Sequence, residues 1–120
     1  MYRLSQEQNE TVDRAREIAD RVIGPGAEKA DTESAYPQES MDALAREGFM
    51  GLMVPTEYGG MGQGPRVMAA VLDEIAQRCA STAMCYKMHL CGVSGYVASA
   101  HPMPDLLRAV ARGEHVSTLA

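Results

Sequence analysis

Ser81-Thr82-Ala83-Met84-Cys85-Tyr86-Lys87-Met88-His89-Leu90-Cys91-Gly92-Val93-Ser94-Gly95-Tyr96-Val97-Ala98 carries one charge, Lys87. The stretch reads as a helix that is apolar nearly all round. A helix without a polar face is usually central, with neighbours on most sides. Just upstream, Met68, Val71, Leu72, Ile75, Ala76 and Cys79 recur at i, i+3, i+4 and i+7 spacing, with Asp73 and Glu74 off the stripe. This predicts a second helix over about 65–78. Downstream, Leu106, Leu107 and Val110 give a short helix over about 104–112 an inward face, and Gly113 ends it.

Toward the N-terminus, the run Thr56-Glu57-Tyr58-Gly59-Gly60-Met61-Gly62-Gln63-Gly64-Pro65 holds four glycines. They imply backbone at positive φ or in close approach to neighbours. It lacks the Lys-Ser/Thr pair of a phosphate-binding P-loop, so it is expected to shape the chain between helices, with Tyr58 as a packing anchor whose hydroxyl finds a partner. The uncharged run Phe49-Met50-Gly51-Leu52-Met53-Val54-Pro55 reads as a buried connecting segment. A short helix before it has Pro37 at its first position, an apolar face of Met41, Leu44 and Ala45, and Gly48 at its end.

The first helix opens on Ser5, with Gln8 three residues later completing a capping box. Val12, Ala15, Ile18, Ala19, Val22 and Ile23 form its stripe. Gly24-Pro25-Gly26 is expected to stop it, leaving 27–36 irregular. At the other end Glu114 and His115 make a turn, and 116–120 reads as the start of a strand with no partner in the chain. The reading is therefore an all-α domain of about five helices over 1–115, followed by the first strand of a second domain over 116–120, in a chain cut from a longer protein.

Composition narrows the function. The chain has 120 residues, enough for one domain that buries roughly two-thirds of its unfolded surface. Nine methionines, no tryptophan and 5% aromatics suit a helical core better than a sheet. Net charge is −5, and the basic residues form no patch, which argues against nucleic-acid binding. Cys79, Cys85 and Cys91 are odd in number and sit in apolar surroundings, as free thiols in a reducing compartment would. The polar first residues lack a signal-peptide pattern, and no run approaches the roughly 18 apolar residues of a membrane span. A cytoplasmic protein without membrane insertion is expected. Cys85 and His89 stand four apart, but no further ligands accompany them as zinc would require, so His89 is expected to be a satisfied or partly exposed helix histidine.

Several motifs together resemble the N-terminal domain of the acyl-CoA dehydrogenase family. They are Leu4-Ser5-x-Glu7-Gln8 with Ile23-x-Pro25; Pro37 with Leu44-Ala45-x-x-Gly48-Phe49-x-Gly51-Leu52; Val54-Pro55-x-Glu57-Tyr58-Gly59-Gly60-x-Gly62; Glu74-Ile75-Ala76 with Ala80-Ser81-Thr82-Ala83; and Leu107 through Gly113-Glu114. They cover nearly the whole chain, in order. The resemblance implies a three-domain FAD enzyme that dehydrogenates an acyl-CoA thioester between its α and β carbons. The catalytic carboxylate and most FAD contacts would lie in the other domains, so no catalytic residue is expected here. The implied partners are an electron-accepting flavoprotein, or oxygen, and further copies in a homotetramer or homodimer. Flavin-dependent monooxygenases share the architecture, and an isolated helical domain could also act as a non-catalytic interaction module.

Matching Gly92 to the glycine that follows the family's pocket-lining stretch places Ala83, Met84, Lys87, Met88 and Cys91 on or near the acyl-chain wall. The residues themselves agree in part: Met84, Met88, Cys91 and Gly95 share one helical stripe. Soft methionines suit an apolar tail, although the same stripe would serve as ordinary core. Lys87 departs from this pattern, because a lysine in an apolar pocket is costly unless paired or reaching water. It either points away or meets a polar or acidic acyl group.

Overall fold

A computed structural model describes residues 4–32, 36–101 and 103–117. Its helices are α1 (Gln6–Ile18), α2 (Gly24–Thr32), α3 (Gln38–Arg46), α4 (Pro65–Ala76), α5 (Ala80–Ala98) and α6 (Pro104–Ala111). Short 3₁₀ turns at Phe49–Gly51 and Thr56–Tyr58 link α3 to α4. There is no strand among the described residues. The fold is all-α, and since α1 runs into α2 without a break it comprises five helical bodies. Of the expected strand, 118–120 lie outside the described residues.

α1 begins as the capping pattern dictates. The Gln8 amide donates to Ser5 Oγ at 3.2 Å, and the Ser5 amide donates to Gln8 Oε1 at 2.8 Å. Val12, Ala15 and Ile18 turn inward and pack on α4. Arg16–Glu74 at 2.9 Å and Arg78–Asp20 at 2.7 Å tie α1 and the turn after it to α4 and its C-terminal end. All but Glu74 are about half exposed, so each pair adds at most about 1 kcal/mol.

The expected stop at Gly24-Pro25-Gly26 is not observed. Residues Ala19–Ile23 form a π turn, in which the Gly24 amide donates to the carbonyl of Ala19, and the helix continues to Thr32. Two features let it pass the proline. Pro25 follows directly on the π turn, whose i→i+5 bonding interrupts the regular ladder where the missing N–H falls. Gly24 holds helical angles (φ −58°, ψ −52°) because it has no Cβ to clash with the proline ring.

The apolar run after α3 is buried as expected, with Phe49, Met50, Leu52 and Val54 fully inside. The main core joins Phe49, Met50 and Leu52 to Ile18, Ile23, Leu44, Val71, Ile75, Tyr86 and Leu90. A smaller core unites Val54 and Val93 with Leu107 and Val110 of α6. On α4 the inward stripe is rotated from the expected one. Val67 and Ala70 face the core with Val71 and Ile75, while Ala76 is exposed.

The glycine-rich run has the two properties its composition implies. Gly59 and Gly62 take positive φ, and Gly60 lies against Val54. Gly64 needs neither; it is extended and precedes α4. Tyr58 is anchored through its ring, which packs on the smaller core under the Arg108 guanidinium, 5.6 Å from the ring centroid. Among the described residues, no helix is long and apolar enough to cross a membrane.

Candidate functional site

α5 is not covered on most sides by this chain. Its buried residues, Thr82, Tyr86, His89, Leu90 and Val93, form one face against the cores. At about 100° per residue, Met84, Met88, Cys91 and Gly95 lie on the opposite side. Met84 is 57% exposed, Lys87 and Gly95 are exposed, and Met88 and Cys91 are half-buried. The helix starts where Cys79 Sγ accepts the Thr82 amide at 3.5 Å, and its inward register is held by the Tyr86 hydroxyl donating to the Phe49 carbonyl at 2.6 Å.

The structure therefore separates the five residues singled out from the sequence. Met84, Lys87, Met88 and Cys91 share the uncovered side, with Lys87 on its flank. Ala83 is turned toward the main core and packs against it. The arrangement is an apolar strip with a cation at its edge, able to bind an apolar group and to place a positive charge beside it. It is a wall rather than a closed pocket.

The glycine-rich loop does not supply an anion cradle. Its amides are spent on the protein: Gly60 donates to Pro55, Met61 to Gly51, Gly62 to Val54 and Gln63 to Leu52, at 2.8–3.2 Å. None of these four amides is left to grip a phosphate as those of a nucleotide-binding turn do. Among the described residues, no group of three or more His, Cys, Asp or Glu side chains could hold a metal ion. All three cysteines are free.

His89 is the feature least legible in the sequence. It is a fully buried histidine satisfied at both nitrogens. The Ser117 amide donates to Nδ1 at 2.9 Å, and Nε2 lies 2.8 Å from the Met50 carbonyl. An amide only donates and a carbonyl only accepts, so the ring is the neutral tautomer with its proton on Nε2. Burial pushes its pKa below the ordinary histidine value; the Met50 bond opposes this, and nearby His115 adds to it. The Ser117 hydroxyl donates to Tyr96 Oη at 3.0 Å and sits 3.0 Å from His115 Nε2. No local pattern around position 89 announces partners at 50 and 117.

Comparison with known proteins agrees with this architecture. Residues 5–114 match the model of the acyl-CoA dehydrogenase N-terminal domain. The chain is 38% identical over 81 residues to a 3-sulfinopropanoyl-CoA desulfinase of Cupriavidus necator, covering 68% of this chain and 20% of that protein. It is 37% identical over 84 residues to a cyclohex-1-ene-1-carbonyl-CoA dehydrogenase of Geobacter metallireducens, covering 70% and 22%. The chain thus spans about a fifth of the length of these relatives. Among solved structures, a chain from that of the electron transferring flavoprotein of Acidaminococcus fermentans superposes with a TM-score of 0.82 at 24% identity, covering 97% of this chain and 31% of that one. KijD3 in complex with dTDP superposes at 0.78 with 26% identity, covering 94% and 31%. With the family model matched across nearly every helix described above, this chain belongs to the acyl-CoA dehydrogenase family, as its N-terminal helical domain.

Proposed function

We propose that these helices are the N-terminal part of an FAD-dependent oxidoreductase that dehydrogenates an acyl-CoA thioester, and that the outer side of α5 is one wall of its acyl pocket. One observation carries this reading: Met84, Met88, Cys91 and Gly95 are an apolar strip that the chain leaves uncovered, diametrically opposite the face it buries. Such a strip suits a partner surface or a ligand. The named relatives act on CoA thioesters, which favours an acyl group as that ligand. In this reading 1–115 form the helical domain, and the strand expected over 116–120 begins the next one.

FAD is implied by the family, and four amides of the glycine-rich loop are already bonded internally and so do not serve it. In this reading the resemblance to the family, not the geometry of these helices, assigns most flavin contacts and the catalytic carboxylate to the rest of the protein. The electron acceptor would be a flavoprotein, and the assembly a homodimer or homotetramer in the cytoplasm. A second reading keeps the fold and changes the chemistry to that of a flavin-dependent monooxygenase using oxygen. KijD3, alike in fold, was solved with dTDP rather than an acyl-CoA, so the fold by itself does not choose between the two readings.

Lys87 sharpens the substrate class. Standing at the edge of the strip with no ion pair among the described residues, it suits an acyl group bearing an acid. The desulfinase relative, named for 3-sulfinopropanoyl-CoA, has such a substrate. The test is flavin bleaching by a series of acyl-CoA thioesters in the complete enzyme. Met88→Trp is expected to lower kcat/KM for long chains at least about tenfold more than for short ones, the effect of about 1.4 kcal/mol. Lys87→Met is expected to weaken acid-bearing substrates selectively. An unchanged chain-length profile would reduce the strip to packing surface. Absence of bleaching by any thioester, with oxygen consumed instead, would favour the monooxygenase.

A further inference from the structure

We infer that His89 is a positioning residue: its Nδ1 lone pair holds the Ser117 amide and its Nε2–H holds the Met50 carbonyl, so that one ring fixes the segment after α6 against α5 and the Phe49–Gly51 turn. The three pieces are remote in sequence, 39 and 28 residues from His89. The ring has no freedom to serve only one of them. It is fully buried and stacks on Tyr86 with centroids 6.5 Å apart and planes 13° from parallel, and Tyr86 is itself bonded to Phe49. Rotation would break both bonds at once.

Ser117 is built into the same junction from its other side, where Tyr96 and His115 contact its hydroxyl. The residue is buried, so without the imidazole its amide would lose its partner in the interior. A histidine meets the need because one rigid ring offers a donor and an acceptor together. Asparagine can present an acceptor where Nδ1 stands, whereas glutamine reaches the Nε2 position. What the outer side of α5 binds does not enter this role.

The hold depends on a neutral ring. Protonation puts a hydrogen on Nδ1 and sets two donors against each other. The titratable neighbours include Cys85 and Tyr86 on α5, and Tyr96 with His115 around Ser117. Just before them, Arg112 and Glu114 pair with each other at 2.9 Å on the surface. The Phe49–Gly51 turn presents its Phe49 and Met50 carbonyls. No carboxylate bonds to the imidazole to favour its charged form.

The test is hydrogen exchange at the Ser117 amide in the protein, with the Gly113 amide, bonded to the Val110 carbonyl in the turn after α6, as internal reference. Near neutral pH, Ser117 is expected to be protected. After correction for intrinsic exchange, its protection should fall at least about tenfold as His89 protonates, one hydrogen bond's worth, while Gly113 stays unchanged. His89→Asn should retain protection and abolish its pH dependence, and His89→Gln should lose it. Unprotected Ser117 in the wild type at neutral pH would overturn the assignment, as would equal protection in His89→Gln. The wild-type pH comparison decides the matter even if a variant does not fold.

Discussion

A Cβ placed on Gly60 would stand 2.1 Å from the carbonyl oxygen of Val54 and 2.5 Å from its Cβ. Both are parts of a fully buried residue at the junction of the turn and the smaller core. The obstacle includes backbone and cannot swing aside. Gly60→Ala is therefore expected to destabilise the protein by about 3 kcal/mol or more, through a forced shift of the 54–62 loop. Urea denaturation measures the cost; a loss under about 1 kcal/mol would mean the loop has slack.

Gly95→Ala should move stability the other way. Gly95 lies inside α5 with nothing within 4 Å of an added Cβ. Replacing glycine by alanine in a helix interior gains roughly 0.5–1 kcal/mol. A rise in Tm is the expected result, and a fall would indicate that the outer side of α5 is covered by something in solution.

Removing the Tyr86 hydroxyl isolates one buried bond. The ring remains in the core in Tyr86→Phe, while the 2.6 Å bond to the Phe49 carbonyl is lost. Burial alone raises the Tyr86 pKa well above the ordinary tyrosine value, so the group stays a neutral donor. The expected loss is about 1–2 kcal/mol, read from the denaturation midpoint at constant m-value.

Stability should also depend on pH through His89. Its folded pKa is depressed by burial below the ordinary value of 6.5, so the unfolded chain takes up the proton first. Its contribution is intact above the unfolded pKa and is lost as pH falls through the folded one. Denaturation midpoints should be flat at neutral pH and decline below about pH 6.5, with His89→Asn flattening the decline. Glu114 belongs to a lower window. Arg112 holds its carboxyl below the ordinary 4.5, and both groups are on the surface.

The legible part of the fold was the local part. The Ser5–Gln8 capping box, the stripe of α1 and the burial of the 49–54 run follow from residues a few positions apart. The passage through Gly24-Pro25 is not legible locally, because both residues are breakers by composition. Only the sequence of angles from the π turn onward shows that glycine's missing Cβ cancels the proline clash. The strip on α5 was visible as a spacing, but Ala83, grouped with it, turned out to face the core.

From the amino-acid order alone came the helical class, the number of helical bodies and the family resemblance, because periodicity, caps and turn residues act over short range. Which side of α5 is buried was left to the tertiary structure. A helix apolar on every side encodes no inward direction, and here packing against α4, α2, α6 and the Phe49–Gly51 turn chose it. The same holds for the ring of His89, whose two partners are brought to it only once the chain has folded.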